Sequence, residues 1–219
     1  MKETARVSVK AAFVMLACLV MPMWAQAGED ALYAAEAPDG AAFIRVVNAS
    51  VRGSLPEVRV GGKSISDIEP VTASSYIYLP EGSYKLTVGD KAEPLTMEKN
   101  QFYTAIVLST GELKILKDKA FKNPRKALVS FYNLTDESGI GLKTSDGKVS
   151  VIDPVGSLEV SSREINAVKV SLGAFSNGEP IAQASPVSLQ RGKVFSFFIV
   201  DTGGSPRLIV TENRVDTSA

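Results

Sequence analysis

The groups in this chain able to do chemistry are carboxylates, hydroxyls and amines. Its 219 residues contain His 0 and Cys 1, and that cysteine is Cys18. A Ser-His-Asp or Cys-His nucleophile needs an imidazole to accept and return a proton near neutral pH. Zinc sites draw mainly on histidine and cysteine, and redox dithiols need two cysteines. Ser145-Asp146-Gly147 sets a hydroxyl beside a carboxylate. An acyl-ester hydrolase, however, carries Gly-Asp-Ser and a later Asp-x-x-His, so this block reads as a hairpin turn. Carboxylate pairs can serve glycoside chemistry. Glu29-Asp30, Asp136-Glu137 and Glu57 are available, in stretches that read as solvated turns or leader. No dense Asp/Asn/Glu loop offers calcium its oxygen ligands. These residues imply no metal, no cofactor and no catalytic centre, and favour a protein that binds or organises.

The densest run of like charge is a candidate binding feature. Lys114, Lys117, Lys119, Lys122, Arg125 and Lys126 fall within thirteen residues, with Asp118 as the one acid among them. Lys117, Lys119, Phe121, Lys122, Arg125 and Lys126 are the candidate contacts to a carboxylated polysaccharide or an acidic partner surface. Phe121 either pins two domains together or anchors a contact. The plainer alternative is a solvated linker. Attraction between exposed charges is screened over ~8 Å at physiological salt, so it acts on association rate more than on affinity.

Asn48-Ala49-Ser50 and Asn133-Leu134-Thr135 match the N-glycosylation pattern. Their equivalent places at the ends of two apolar runs favour a structural role: each Asn bonds its own backbone two residues on.

The elements that position these groups read as strands. Leu86 and Val88 alternate with Lys85 and Thr87, as do Val168, Val170, Leu172 and Ala174 with their polar neighbours. Phe102 to Leu108 and Val194 to Val200 are apolar on both faces, as strands buried on two sides are. Turn signals recur at Asp39-Gly40, Gly61-Gly62, Glu81-Gly82, Asp146-Gly147, Asn177-Gly178 and Gly203-Gly204.

The halves also repeat one another in order. Phe43 to Ser50 parallels Leu128 to Thr135. Gly62-Lys63 with Ile68-Glu69-Pro70-Val71 parallels Gly147-Lys148 with Ile152-Asp153-Pro154-Val155. Pro94 to Asn100 parallels Pro186 to Gly192. The expectation is an all-β chain of two tandem small β-sandwich domains joined by a short basic linker. The first sandwich spans 40–116, the linker 117–125, the second sandwich 126–212 and a tail 213–219, frayed over Asp216 to Ala219. Each module is expected to fold by itself.

Residues 1–27 read as a secretory signal. Lys2, Arg6 and Lys10 precede the apolar run Ala11 to Met23, and Ala25-Gln26-Ala27 supplies the small-x-small cleavage site before Gly28. A membrane anchor is disfavoured because the run is short of the ~20 residues a spanning helix needs. A lipoprotein on Cys18 would leave an unusually short apolar region. Residues 28–39 read as an exposed lead-in. Without residues 1–27, the 24 basic and 24 acidic residues become 21 and 23, a net charge near −2. No overall field then favours nucleic acid.

Gly28 to Tyr33, Phe43 to Ser50, Phe121-Lys122-Asn123 with Lys126-Ala127-Leu128, and Arg163 to Asn166 leading into Val168 to Leu172 resemble the periplasmic alginate O-acetylation protein family, AlgF. The likeness covers nearly the whole mature chain. Where this chain has Ala167, the family usually has a proline, at a loop-to-strand position. The resemblance implies a periplasmic protein of an alginate-making Gram-negative bacterium, required to acetylate mannuronate residues. It implies work beside periplasmic alginate O-acetyltransferases of the Gly-Asp-Ser type and a membrane-bound O-acyltransferase. It supplies no catalytic residue. The combined expectation is a non-catalytic adaptor. The alternatives are an acetyl carrier or transferase using a Ser or Thr oxygen, and an alginate-binding β-sandwich. Against the last, Trp24 lies in the leader, and of Tyr33, Tyr76, Tyr78, Tyr84, Tyr103 and Tyr132 most fall in strands as core or cross-strand residues.

Overall fold

The computed structural model describes residues 37–217, which form one compact unit. The signal segment 1–27, its cleavage site and lead-in residues 28–36 lie outside the described residues, as do Ser218 and Ala219. Among the described residues every regular element is a strand.

The first half holds β1 (Ala42–Asn48), β2 (Val58–Val60), β3 (Lys63–Ile65), β4 (Thr72–Ala73), β5 (Ile77–Leu79), β6 (Gly82–Val88), β7 (Lys91–Met97), β8 (Phe102–Val107) and β9 (Leu113–Asp118). The second holds β10 (Ala127–Leu134), β11 (Ile140–Thr144), β12 (Ser150–Val155), β13 (Glu159–Ile165), β14 (Lys169–Val170), β15 (Leu172–Ser176), β16 (Glu179–Gln183), β17 (Val187–Ser188), β18 (Val194–Val200) and β19 (Arg207–Glu212).

The first sandwich packs sheet β4-β1-β8-β9, with β5 also on β1, against sheet β3-β2-β6-β7. Period-two alternation sends Ala42, Ile44 and Val46 of β1 and Tyr103, Ala105 and Val107 of β8 inward, against Val58, Leu86 and Met97. The second packs sheet β13-β10-β18-β19 against β12-β11-β15-β16. Val129, Phe131, Phe195 and Phe197 meet Ile140, Leu142, Leu172 and Ala174 there. The duplication is therefore structural. In each half the first strand pairs in parallel with a late strand, β1 with β8 and β10 with β18. The next strand, β9 or β19, then closes antiparallel. Gly61-Gly62 and Asn177-Gly178 make two-residue hairpin turns with both φ positive (56° and 82°, 49° and 90°), as right-handed strand twist requires.

The alternate residues of the four central strands face the other way and meet each other. Val47, Ala49, Ile106 and Leu108 pack against Tyr132, Leu134, Phe198 and Val200 in a third core. This explains why β8 and β18 are apolar on both faces: one face looks into its own sandwich and the other into the junction.

Two expectations need correction. Strand β9 runs through Asp118, so Lys117 and Asp118 belong to the sheet, and the connection between the sandwiches begins at Lys119. The tail is not frayed at its first residue, Asp216, which is held together with the residues before it. Val215 bridges Tyr76 of the first sandwich. The Tyr76 amide donates to the Arg214 carbonyl at 2.8 Å, and the Asp216 amide to the Tyr76 carbonyl at 2.7 Å. The chain end is held because it adds a segment of ladder to the first sandwich.

Candidate functional site

The junction holds the most concentrated chemistry of the described residues. Arg45 lies at the middle of β1 and is 1% exposed. Its strand position points it away from the first core and into the second sandwich. A buried guanidinium costs several kcal/mol unless its donors are met. Here Nε donates to Thr104 Oγ1 at 3.0 Å and Nη1 to Asn213 Oδ1 at 2.9 Å. Nη2 donates to Tyr132 OH at 3.0 Å and to Ser196 Oγ at 2.9 Å. The guanidinium carbon also sits 4.7 Å from the Tyr76 ring centre and 5.1 Å from that of Phe198, a favourable cation–π placement.

Asp118, 7% exposed at the end of β9, balances that charge through hydroxyls. Thr104 Oγ1 and Tyr76 OH donate to Oδ2 at 2.7 and 2.8 Å, and Tyr132 OH donates to Oδ1 at 2.7 Å. Thr104 and Tyr132 thus relay between arginine and carboxylate, each accepting from one and donating to the other. Burial by itself would lower the Arg45 pKa; Tyr132, Tyr76 and Asp118 more than offset it and hold the value above the usual one. Burial, then the charge of Asp118, pushes the Tyr132 hydroxyl up. Burial likewise holds Tyr76 well above the ordinary range. Both phenols therefore remain protonated donors, and neither is a nucleophile near neutral pH.

The candidate contacts from the basic run separate in the structure. Lys117 projects from β9 and pairs with Glu98 (Nζ–Oε2 2.6 Å), a bond that raises its pKa. Lys126 donates to Asn166 Oδ1 at 2.8 Å. These two are tied to their own sandwiches. Lys119, Lys122 and Arg125 are exposed, and Phe121 is half-buried. Lys119 and Phe121 line a cavity of about 110 Å³ beside the junction, with Tyr76, Phe102, Val194 and Val215 in its walls.

Asn48 and Asn133 perform the structural role expected of them. Their side-chain oxygens accept the amides of Ser50 at 3.0 Å and Thr135 at 3.1 Å. Their amide nitrogens hold loop carbonyls of Ile68 at 3.1 Å and Glu137 at 2.6 Å. Both are fully buried. Ser145-Asp146-Gly147 forms a turn in which Asp146 accepts from Thr144.

The Arg45 network was not visible as a site in the sequence. Its signals were faint: one arginine inside the apolar run Phe43 to Val47, and one acid, Asp118, among lysines.

Comparison with known proteins supplies the family. A family model described as "Alginate O-acetyl transferase AlgF" matches residues 15–196. The chain is similar to the alginate biosynthesis protein AlgF of Pseudomonas aeruginosa, at 39% identity over 180 residues and 82% of each chain. It is similar to the protein of that name from Pseudomonas fluorescens, at 33% identity over 198 residues and 90% of each chain. It is also similar to the one from Azotobacter vinelandii, at 36% over 176 residues and 80% of each. Among solved structures, the C-terminal domain of AlgF from P. aeruginosa matches with a TM-score of 0.37 and 37% identity, covering 41% of this chain and 99% of that domain. The N-terminal domain matches with a TM-score of 0.34 and 30% identity, covering 38% of this chain and all of that domain. With a family model spanning most of its length and relatives of that similarity, the chain belongs to the AlgF family.

Proposed function

We propose that this protein is a non-catalytic periplasmic adaptor in the O-acetylation of alginate. It organises the periplasmic acetyltransferases and a membrane-bound acyltransferase that modify mannuronate residues. The role in alginate acetylation is supported by the family, whose members are named for alginate biosynthesis. The observation that carries the adaptor reading is the junction. Its arginine, carboxylate and hydroxyls are spent on holding two sandwiches in one arrangement, which suits a platform for partners. The phenols there are held protonated, and the chain has no histidine to activate a hydroxyl. Export rests on the leader pattern of residues 1–27.

The test combines two measurements on the mature chain. Pull-down with the purified acetylation proteins should recover a complex. Incubation with an activated acetyl ester should give neither turnover nor a stable acetyl adduct by mass spectrometry. The family description "O-acetyl transferase" favours a second reading, an acetyl carrier using a Ser or Thr oxygen. An adduct on one such residue, lost on its mutation together with acetyl transfer, would replace the adaptor reading. N-terminal sequencing of periplasmic protein should begin at Gly28.

A further inference from the structure

We propose that the cavity beside the junction is a socket for one apolar side chain presented by an acidic protein surface. The proposal rests on the adaptor reading and places its docking point.

Size limits the occupant. The cavity holds about 110 Å³. A cavity of about 150 Å³ accommodates a benzene ring, and small-molecule sites begin near roughly 300 Å³. A leucine or valine side chain fits; a sugar ring with its hydroxyls does not.

Chemistry limits it further. Apart from the cationic ends of Lys119 and Arg214, which reach solvent, the polar side chains of the wall are already engaged. Tyr76 and Tyr132 hydroxyls bond Asp118. Ser130 Oγ bonds Ser162 Oγ at 2.8 Å, and the Asn213 carbonyl oxygen accepts from Arg45 and Ser196. A polar ligand would find these partners taken. What remains is the apolar surface of Phe102, Phe121, Val194 and Val215. Val215 is 37% exposed, an apolar residue open to solvent.

The surroundings set the partner's charge. Lys119 is exposed on the wall, and Lys122 and Arg125 follow in the same segment, none with a side-chain partner among the described residues. The acids nearby are occupied: Asp118, in the wall, accepts from three hydroxyls, Asp216 beside Val215 has a partner of its own, Glu98 pairs with Lys117, Glu164 accepts from Asn123, and Glu212 lies near Lys193 and Arg214. A buried apolar anchor ringed by complementary charge is the form interface hot spots take.

The experiment measures binding of the full mature chain to each purified periplasmic acetyltransferase, and separately to alginate oligosaccharides. Val215→Trp fills the socket and should weaken acetyltransferase binding at least tenfold. Lys119→Glu with Lys122→Glu, both exposed, should weaken it several-fold at low salt and flatten its salt dependence. The unfolding midpoint of each variant is measured alongside; if Val215→Trp lowers it, the charge reversal alone decides. Wild-type binding that both variants retain overturns the socket and leaves the adaptor reading standing. No wild-type binding to any acetyltransferase overturns both. Binding of alginate oligosaccharides that Val215→Trp abolishes overturns the protein partner in favour of a polysaccharide.

Discussion

The two sandwiches present equivalent strands to one another, yet the faces they present differ. Aligning Asn48 with Asn133 sets Arg45 against Ser130 and Val47 against Tyr132; strand register sets Thr104 against Ser196. One face carries a long cation, a valine and a threonine at these places, the other two serines and a tyrosine. A junction of two unmodified copies would bring like against like. Two arginines would face each other in a dry space, and neither would have room. The divergence resolves this. The small Ser196 makes space for the guanidinium, and Tyr132 reaches back with a hydroxyl that bonds both Arg45 and Asp118. Duplicated domains become one body when their shared face is made unequal.

The sharpest way to break this comparison is Arg45→Met. It leaves Asp118 buried without its cation, which typically costs about 3–5 kcal/mol. Urea unfolding should show that loss. A loss below about 1 kcal/mol would mean that the hydroxyls alone satisfy the carboxylate.

The next effect lies in pH. Tyr76 and Tyr132 have folded-state pKa values raised above 10.0. Below pH 10 both states keep the proton, and these groups add no pH dependence. Above pH 10 the unfolded chain releases protons that the folded chain retains, so stability falls as pH rises. The slope approaches about 1.4 kcal/mol per pH unit for each tyrosine. Tyr132→Phe should remove one tyrosine's share of it. An unchanged slope above pH 10 would show that Tyr132 ionises as readily folded as unfolded.

The smallest effect tests where the halves are alike. Asn48→Ala and Asn133→Ala should each cost about 1–3 kcal/mol, the penalty of orphaned buried groups. The two losses should be similar, because each amide nitrogen holds two loop carbonyls and each oxygen the amide two residues on. Clearly unequal losses would show that one half depends on its loop clamp more than the other.

Strand content, duplication and the Asn clamps were legible because each is local. Alternation, Gly-marked turns and an ordered repeat declare themselves within a few residues. The two-sided burial of β8 and β18 was legible too, without saying what covered the second face. That cover is a pairing between residues as distant as Arg45 and Asn213, and no local pattern encodes it. Asp118 looked like a solvated acid because its neighbours are lysines. Alternation along β9 turns it inward while Lys117 stays outside. The end looked frayed because the four residues 216–219 show no periodicity, and Tyr76, which holds Asp216, is far upstream.

The returning tail bears on when the molecule becomes whole. The first sandwich has all its strands by Asp118, but Asn213, which completes the shell of Arg45, lies 95 residues further along the chain. A first sandwich that forms ahead of the second carries an arginine, an aspartate and a strip of aliphatic side chains with nothing laid over them. That half-made state, rather than the finished molecule, is when this face meets chaperones or wrong neighbours, and docking of the chain's last residues ends it.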